Sequence, residues 1–290
     1  MVILEGNSFF ANVAFRLVRK HIAGTTVAKA LKNAMTINGM GMGATITFLN
    51  DHVDSLPKAK YNQSAYMQLL HQISRLNIRA EVSIRPSQLG YRIDENAAEK
   101  HMSEILSYAE KHNIVVWSEH ENESGQLFDM HEKNLGIELP YSIAEKSGAK
   151  IGQKIKRIKV VPDIENGKEE SEENEESKEK KEKAAKKVKI SGYANCLDRI
   201  AGTGAFTTLL SHDYHFGIKA ISRSKYRKDL ILELPFGYSR ERLAKIGRER
   251  INVNIYTPYG KDWIPYAVNR LTEGKRHKIA KLILEGRHPG

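Results

Sequence analysis

Short apolar runs alternate with amphipathic stretches along most of the chain. The runs that predict strands are residues 44–49, 80–84, 113–118, 136–140, 157–161, 206–211, 230–234 and 252–257. Between them, residues 60–77 and 96–113 repeat apolar positions at helical spacing. Alternating strands and helices are typical of α/β proteins built from βα units, and eight such units close a barrel. The pattern predicts a (βα)8 TIM-like barrel over residues 44–290, after an N-terminal helical leader over residues 1–43.

One segment departs from this alternation. Residues 163–187 are dominated by Glu, Lys, Ser and Asn. Such a composition cannot bury enough apolar surface to offset the entropy lost on ordering. We therefore predict a disordered or solvated-helix insertion in one connection of the barrel.

Composition narrows the classes of partner and compartment. The net charge of +11 attracts anionic ligands or an anionic membrane surface without choosing among them, and we expect no nucleic-acid partner. A single cysteine, Cys196, excludes an internal disulfide and a multi-cysteine metal site, which suits the reducing cytoplasm. No apolar run approaches the roughly 18 residues of a membrane span. We expect a cytoplasmic protein with no transmembrane segment and no metal.

The segment that follows the last predicted strand concentrates aromatic and charged residues. A helix that begins near Asp262 would carry Pro265 in its first turn, where the missing N–H costs little. Tyr266 and Arg270 are then four residues apart and lie on one face. In a barrel this face would meet Tyr256 at the carboxyl ends of the strands, where ligands bind.

A tyrosine wall beside one guanidinium suits a small carboxylate. The planar arginine fork binds both carboxylate oxygens while the rings exclude water. Asn269 and Glu273 lie on the same broad face of the predicted helix. The alternative is that the aromatic residues only pack the last helix on the barrel and that Arg270 and Glu273 form a surface ion pair.

The same segment resembles the proline dehydrogenase family, which comprises flavin-dependent (βα)8 barrels that oxidise proline to pyrroline-5-carboxylate. The family's closing run, Y-x-P-Y-G…W…Y…R-L-x-E, is matched by YTPYGKDWIPYAVNRLTE. Upstream, FRLVRKHIAGTTVAKALKNAMTINGMGMGATITFLND is similar to the family's leader and first strand. In the same order, VSIRPSQLGY, VVWSEHENES, LLSHD and LELPFG are similar to its second, third, sixth and seventh strands.

The resemblance implies roles for individual residues. Tyr256 and Tyr266 would wall the substrate ring, and Arg270, next to Asn269, would bind the substrate carboxylate. Arg85 stands where the family has an active-site lysine. Glu119 stands where the family has an aspartate.

The resemblance also implies FAD as cofactor and a quinone as electron acceptor. His212 and Glu273 would lie near the flavin. The basic residue that contacts the flavin from the fifth strand would be Arg157 or Lys159.

Several positions depart from the family pattern. Asn269 replaces the first of two paired arginines, and the loss of one charge-assisted contact costs about 1.5–3 kcal/mol unless Arg85 substitutes. Pro140 stands where the family has a flavin-contacting glutamine, and Asn50 and Asp51 stand where it has Gly-Glu. These departures keep two alternatives open: a flavoenzyme that acts on another cyclic or N-substituted amino acid, and a non-catalytic barrel that binds an acidic partner.

Overall fold

A closed barrel of eight parallel strands forms the centre of the molecule. The computed structural model describes residues 20–50, 53–119, 134–163, 189–263 and 266. The strands are β1 (Gly43–Phe48), β2 (Ala80–Ile84), β3 (Val116–Ser118), β4 (Leu135–Pro140), β5 (Arg157–Val161), β6 (Phe206–Leu210), β7 (Ile231–Pro235) and β8 (Asn252–Tyr259). They pair in sequence order, and β8 closes on β1. The predicted (βα)8 fold is confirmed.

Helices cover the outside of this barrel. They are α1 (Val27–Gly39), α2 (Leu56–Arg75), α3 (Glu95–Lys111), α4 (Tyr141–Gly152), α5 (residues 189–201), α6 (Tyr214–Arg223) and α7 (Arg240–Gly247). Several begin at a side-chain cap, as at Asp94, which accepts from the backbone N–H of Ala97, and at Asp213, which accepts from His215 and Phe216. Within the described ranges, we find no helix with the length and apolarity needed to cross a membrane.

β3 starts later than the sequence pattern suggests. The apolar run begins at residue 113, but Asn113 adopts a left-handed conformation with φ of 53°. The next backbone N–H, that of Ile114, returns to the carbonyl of Ala109 at the end of α3. The first residues of the run therefore terminate a helix, which shortens the strand to Val116–Ser118.

Part of the predicted leader belongs to the barrel wall. α1 packs on β1 and β8. The segment before it is tied to the end of β8, since Ala23 N donates to Pro258 O at 2.7 Å and Gly260 N donates to Gly24 O at 3.1 Å. The seam between the last and first strands is thus covered by a helix that precedes β1. Residues 1–19 of the predicted leader lie outside the described residues.

The two faces of the strands differ in polarity. Outward-facing side chains such as Ile46, Val82 and Leu232 are apolar and fully buried under the helices. The inward-facing positions instead hold polar and charged side chains, which include Thr45, Ser83, Glu138, Lys159 and Glu233, all buried. TIM-barrel interiors are usually filled by branched apolar residues. The inside of this barrel is a buried polar network.

Trp117 is the large aromatic residue inside this network. It is 2% exposed, and a Cβ at position 136 would collide with its ring. Gly136, its register partner on β4, therefore provides the space that the indole fills. Any larger residue at this position would displace the indole from the barrel interior.

A cavity of about 900 Å³ opens at the amino-terminal end of the barrel. Its lining comes from the starts of strands and the turns before them, including Met42, Ala80, Glu81 and Asn252. None of these described lining residues is a site residue predicted from the sequence. The predicted site lies at the opposite end.

The first residue of the predicted insertion is part of the fold. The Asp163 carboxylate accepts from the backbone N of Ser142 at 3.0 Å and from its hydroxyl at 2.8 Å, and so caps the start of α4. The remainder of the predicted insertion, residues 164–187, lies outside the described residues.

Replacement of residues 165–187 by a short Gly/Ser linker should shift the thermal unfolding midpoint by less than about 2 °C, because loop length costs little. Adding Asp163→Ala to this deletion should remove about 1 kcal/mol and lower the midpoint by roughly 2–4 °C. Circular dichroism of both variants measures the difference. A collapse of soluble yield in the deletion alone would show that the segment belongs to the barrel core.

Candidate active site

Three predicted site residues meet at the carboxyl end of the barrel. Arg85 directly follows β2, Glu119 directly follows β3, and Tyr256 lies in β8. The backbone N of Glu119 donates to Ile84 O at 2.9 Å, which extends the pairing of β2 with β3 by one residue. Since carboxyl ends of parallel strands share one end of a barrel, all three side chains enter the same mouth.

The Glu119 carboxylate contacts both other members of this cluster. Its Oε2 accepts from Arg85 Nε at 2.7 Å, and its Oε1 accepts from the Tyr256 hydroxyl at 2.8 Å. The Ser83 hydroxyl donates to the same Oε1 at 2.9 Å. Burial disfavours the ionised carboxylate, but the Arg85 charge and the three hydrogen bonds outweigh it and hold the Glu119 pKa below its usual value.

Tyr256 and Tyr266 form an aromatic wall next to this carboxylate. Their ring centroids are 6.3 Å apart and their planes differ by 29°. Both side chains are 8% exposed. Burial and then the nearby Glu119 charge raise the Tyr256 pKa well above its ordinary value, so the phenol stays protonated and acts as a donor. The structure thus brings together the two tyrosines that the sequence analysis predicted.

Below the mouth, a buried ammonium lies between two carboxylates. Lys159 Nζ is 2.8 Å from Glu233 Oε1 and 3.0 Å from Glu138 Oε1. It also lies 4.7 Å from the centre of the Trp117 ring. We call Glu138, Lys159 and Glu233 the buried triad. Its ammonium is surrounded by partners and 0% exposed.

Burial and the neighbouring charges shift the pKa of two members of the buried triad. Burial acts against the Lys159 ammonium, but Glu233 and Glu138 raise its pKa above the ordinary value. Burial raises the Glu138 pKa to about 7, although Lys159 opposes this. Glu119 and Glu233, two further negative groups, add to the upward shift.

A second polar group lies towards the amino-terminal end. The Thr45 hydroxyl donates to Glu233 Oε2 at 2.5 Å, and Trp117 Nε1 donates to Glu81 Oε2 at 2.7 Å. Burial raises the pKa of Glu81, which lines the amino-terminal cavity. These residues form the floor of the polar interior.

The two candidates for the basic flavin contact lie at different depths. Arg157 begins β5 at the amino-terminal end, where its guanidinium carbon lies 4.6 Å from the centre of the Phe206 ring. Burial lowers its pKa, and its Nε has no hydrogen-bond partner among the described residues. Lys159 is two residues nearer the mouth. The structure therefore separates Arg157 from the other predicted site residues and keeps Lys159 beneath them.

Other predicted positions lie around the mouth. His212 follows β6, is exposed, and accepts through its backbone carbonyl from the Tyr238 hydroxyl at 3.0 Å. Pro140 ends β4 and immediately precedes α4. Asn50 donates to Asn62 Oδ1 at 2.6 Å and accepts from its amide through the backbone carbonyl. The asparagine that replaces a glycine of the family pattern thus anchors the loop after β1 on α2.

Four predicted positions cannot be located in this way. Asn269, Arg270, Glu273 and Asp51 lie outside the described residues. Their roles stay predictions.

The sequence analysis missed the residues beneath the mouth. The sequence pattern places Glu138 and Glu233 in predicted strands and assigns no role to Ser83 or Thr45. A signal was present, because each glutamate interrupts an apolar run, in GIELP and LILEL. A charged residue at the centre of a buried parallel strand points into the barrel.

The chain is similar in sequence to proteins of known activity. No protein-family model matches it. Proline dehydrogenase 1 of Bacillus subtilis (strain 168) is 23% identical over 282 residues, which cover 92% of this chain and 89% of the relative. Proline dehydrogenase of Deinococcus radiodurans is 20% identical over 286 residues, which cover 94% of this chain and 90% of the relative.

Solved structures agree with the fold. Proline utilization A (PutA) from Bdellovibrio bacteriovorus superposes with a TM-score of 0.69 at 14% identity, over 92% of this chain and 34% of that longer chain. PutA from Corynebacterium freiburgense gives a TM-score of 0.64 at 15% identity. The likeness to these structures is one of fold, while the curated relatives match along nearly their whole length. Along most of its length the chain is therefore similar to proline dehydrogenases, and its barrel has the fold of the PutA structures.

Proposed function

We propose that this protein oxidises L-proline to 1-pyrroline-5-carboxylate with FAD as hydride acceptor and a quinone as the final electron acceptor. The observation that carries the proposal is the cluster of Arg85, Glu119, Tyr256 and Tyr266 at the barrel mouth. Similarity to proline dehydrogenases over most of the chain supports the same reaction. The quinone and the cytoplasmic location stay predictions.

The cluster matches the chemistry of a cyclic amino acid. A proline zwitterion presents one ammonium, one carboxylate and an apolar ring. The Glu119 carboxylate offers the negative charge that an ammonium requires, and the two tyrosine rings offer an apolar wall. Arg85 supplies a positive charge on the same side, and Arg270 would supply the second. The protein thereby orients the substrate and excludes water from it.

The other half of the mouth is apolar. Inward-facing positions alternate along β4, β5 and β6, and the last of these positions are Pro140, Val161 and Leu210. All three are half-buried. Among the described residues that end or follow β2 to β6, Asp163 and Asp213 cap helices, and the other charged side chains are Arg85 and Glu119. The last inward-facing residues of β4 to β6 present an apolar surface. A flat, largely apolar flavin ring fits that surface.

Of the two described cofactor candidates near the mouth, one would hold the flavin on this side. His212 follows β6 at the rim. Lys159 would not contact the flavin, because its ammonium already contacts Glu138 and Glu233, which also compensate its charge. Arg157 would not contact the flavin, because it lies at the opposite end of the barrel. Glu273 stays a predicted flavin contact. Once bound, the flavin supplies the hydride acceptor, and the protein positions the substrate and tunes the charge around it.

A second function is favoured by one position. Asn269 removes one positive charge from the predicted carboxylate clamp. This change suits a flavoenzyme that acts on another cyclic or N-substituted amino acid. The rates of dye reduction with proline, N-methylproline and pipecolate distinguish the two substrates.

The flavin should be bound without a covalent link, because Cys196 is the chain's single cysteine and is buried. Acid precipitation of the purified yellow protein should release FAD into the supernatant, where chromatography identifies it. Flavin that stays with the pellet would contradict non-covalent binding. A protein that takes up no flavin on reconstitution would favour the non-catalytic alternative with an acidic partner.

Tyr256→Phe should keep the aromatic wall and remove one of the donors to Glu119. We expect a loss of about 1.5–3 kcal/mol in the free energy of unfolding at neutral pH, as for hydrogen bonds to charged groups. The native pKa of Glu119 lies below its unfolded value, so its stabilisation is present above the unfolded pKa and is lost as the pH falls through the native pKa. The variant should lose stability at a higher pH during acid titration.

Denaturant unfolding at several pH values measures both effects. Tyr259→Phe is the matched control, because this buried tyrosine of the same strand packs against Phe48 and is not a predicted site residue. An acid-unfolding curve for Tyr256→Phe that matches the control would show that the hydroxyl does not stabilise the Glu119 charge.

Arg270→Lys should raise the KM for proline far more than it changes flavin absorbance, because lysine keeps the charge and loses the planar fork. Asn269→Arg should tighten binding of proline and of the carboxylate inhibitor tetrahydrofuroate. Steady-state dye reduction and inhibitor titration measure these effects. If neither position affects a carboxylate ligand, the segment only packs on the barrel.

A further inference from the structure

The buried triad has two acidic groups and only one basic group. Two carboxylates, Glu138 and Glu233, lie against the single ammonium of Lys159. With all three groups ionised, the triad carries a net negative charge in a buried environment, where an uncompensated charge is costly. Uptake of one proton by either glutamate makes the triad neutral.

Glu138 is the less stabilised of the two carboxylates. Glu233 has the shorter contact with Lys159, 2.8 Å against 3.0 Å, and also accepts from the Thr45 hydroxyl at 2.5 Å. The second contact of Glu138 is with the Ser83 hydroxyl at 3.4 Å, which is long for a hydrogen bond between oxygens. A proton that enters the triad therefore resides on Glu138.

Ser83 connects this carboxylate to the mouth. Its Oγ is 2.9 Å from Glu119 Oε1 and 3.4 Å from Glu138 Oε1. A hydroxyl carries one proton and accepts through its lone pairs. It can therefore accept a proton from Glu119 and pass its own to Glu138 when their 3.4 Å contact shortens to hydrogen-bond length, which is the requirement for a relay.

The relay ends at the triad. Lys159 is the next group beyond Glu138, and its two carboxylate neighbours raise its pKa, so it does not release a proton towards Glu233 or the floor. Protons on Glu138 thus exchange through Ser83 with the mouth and not with the amino-terminal cavity.

We propose that Glu138 is the internal proton acceptor of the site, which receives through Ser83 and Glu119 the proton that the substrate ammonium loses before oxidation. The inference rests on the proposed function, because removal of a hydride next to nitrogen requires the nitrogen lone pair. Glu138 acts through Glu119 and is a positioning residue.

The step conserves atoms and charge. The substrate N–H bond breaks, and its proton passes to Glu119. Ser83 Oγ accepts a proton from Glu119 while its own hydroxyl proton passes to Glu138 Oε1. The ammonium becomes a neutral amine, Glu119 returns to its ionised form beside Arg85, and the buried triad becomes neutral.

The order of acidities agrees with this direction. Arg85, Tyr256 and Ser83 keep the Glu119 pKa low, so this carboxylate attracts an ammonium but holds a proton weakly. The charged groups that face Glu138 are Lys159 from β5, Glu233 from β7 and Glu119 after β3. Burial and the two glutamates outweigh Lys159, so the Glu138 pKa is about 7 and it holds a proton better than Glu119.

The test compares pH profiles of kcat/KM for proline-dependent dye reduction. Wild-type protein should show a limb that rises with pH near the Glu138 pKa, since the acceptor must be ionised. Glu138→Gln should lose this limb and slow the reaction roughly 10²-fold on the alkaline side, within the range of a positioned proton acceptor. Ser83→Ala should have the same effect, because it interrupts the relay.

Glu233→Gln is the matched control. It removes the other carboxylate from Lys159, so Glu138 keeps the whole ammonium and its pKa falls. The rising limb of the kcat/KM profile should move to lower pH, and kcat/KM on the alkaline side should be retained. A merely structural role of the buried triad would make Glu138→Gln and Glu233→Gln behave alike.

Infrared spectroscopy of the substrate-free protein detects the protonation of the Glu138 carboxyl group directly. A protonated-carboxyl band should titrate near neutral pH in wild-type and Ser83→Ala protein and be missing in Glu138→Gln. If Glu138→Gln does not fold, the wild-type band and the Ser83→Ala profile decide the question.

The outcomes separate the two proposals. Proline oxidation by the wild type together with an unchanged pH profile in Glu138→Gln or in Ser83→Ala would overturn the proton acceptor alone. A wild-type protein that binds FAD but reduces no dye with proline would overturn the proposed function and the relay with it.

Discussion

The polar interior of this barrel depends on one buried ammonium. Lys159 is surrounded by Glu138, Glu233 and the Trp117 ring, and without it two carboxylates would face each other in a buried environment. Removal of one partner from a buried ion pair is strongly destabilising, whereas an apolar set of similar volume is often neutral or better. A fold alone therefore has no need of this arrangement, and its presence beneath the mouth indicates a role in the chemistry.

The alternation of side chains along the strands decides which half of the mouth is charged and which half is apolar. Side chains alternate along each strand, so the next inward-facing positions beyond Ser83 of β2 and Trp117 of β3 are Arg85 and Glu119. The last inward-facing residues of β4 to β6 are apolar. One half of the mouth thus suits a zwitterion, and the other suits a flat ring. The boundary between them runs above Glu138, which contacts Ser83 on one side and Lys159 on the other. Substrate, cofactor and proton acceptor would meet at this point.

Divergence of this chain from its relatives has a physical pattern. Charge sign is kept at Arg85 and Glu119, where the family has a lysine and an aspartate, and the longer side chains still reach each other at 2.7 Å. At Asn50 an amide pair with Asn62 anchors the loop after β1 on α2. The charges of Arg85 and Glu119 thus remain paired with each other at the mouth.

The sequence by itself determined the barrel, since the eight apolar runs and the helical periodicity between them correspond to the observed strands and helices. The resemblance of its motifs to proline dehydrogenases also predicted that Arg85, Glu119, Tyr256 and Tyr266 belong to one site. Tertiary structure alone decided that Lys159 and not Arg157 lies beneath the other site residues and that Glu138 and Glu233 share the Lys159 ammonium. Each strand shows only that a charged residue interrupts it. Which charges meet inside the barrel depends on the stagger between strands, a non-local property that no single segment encodes.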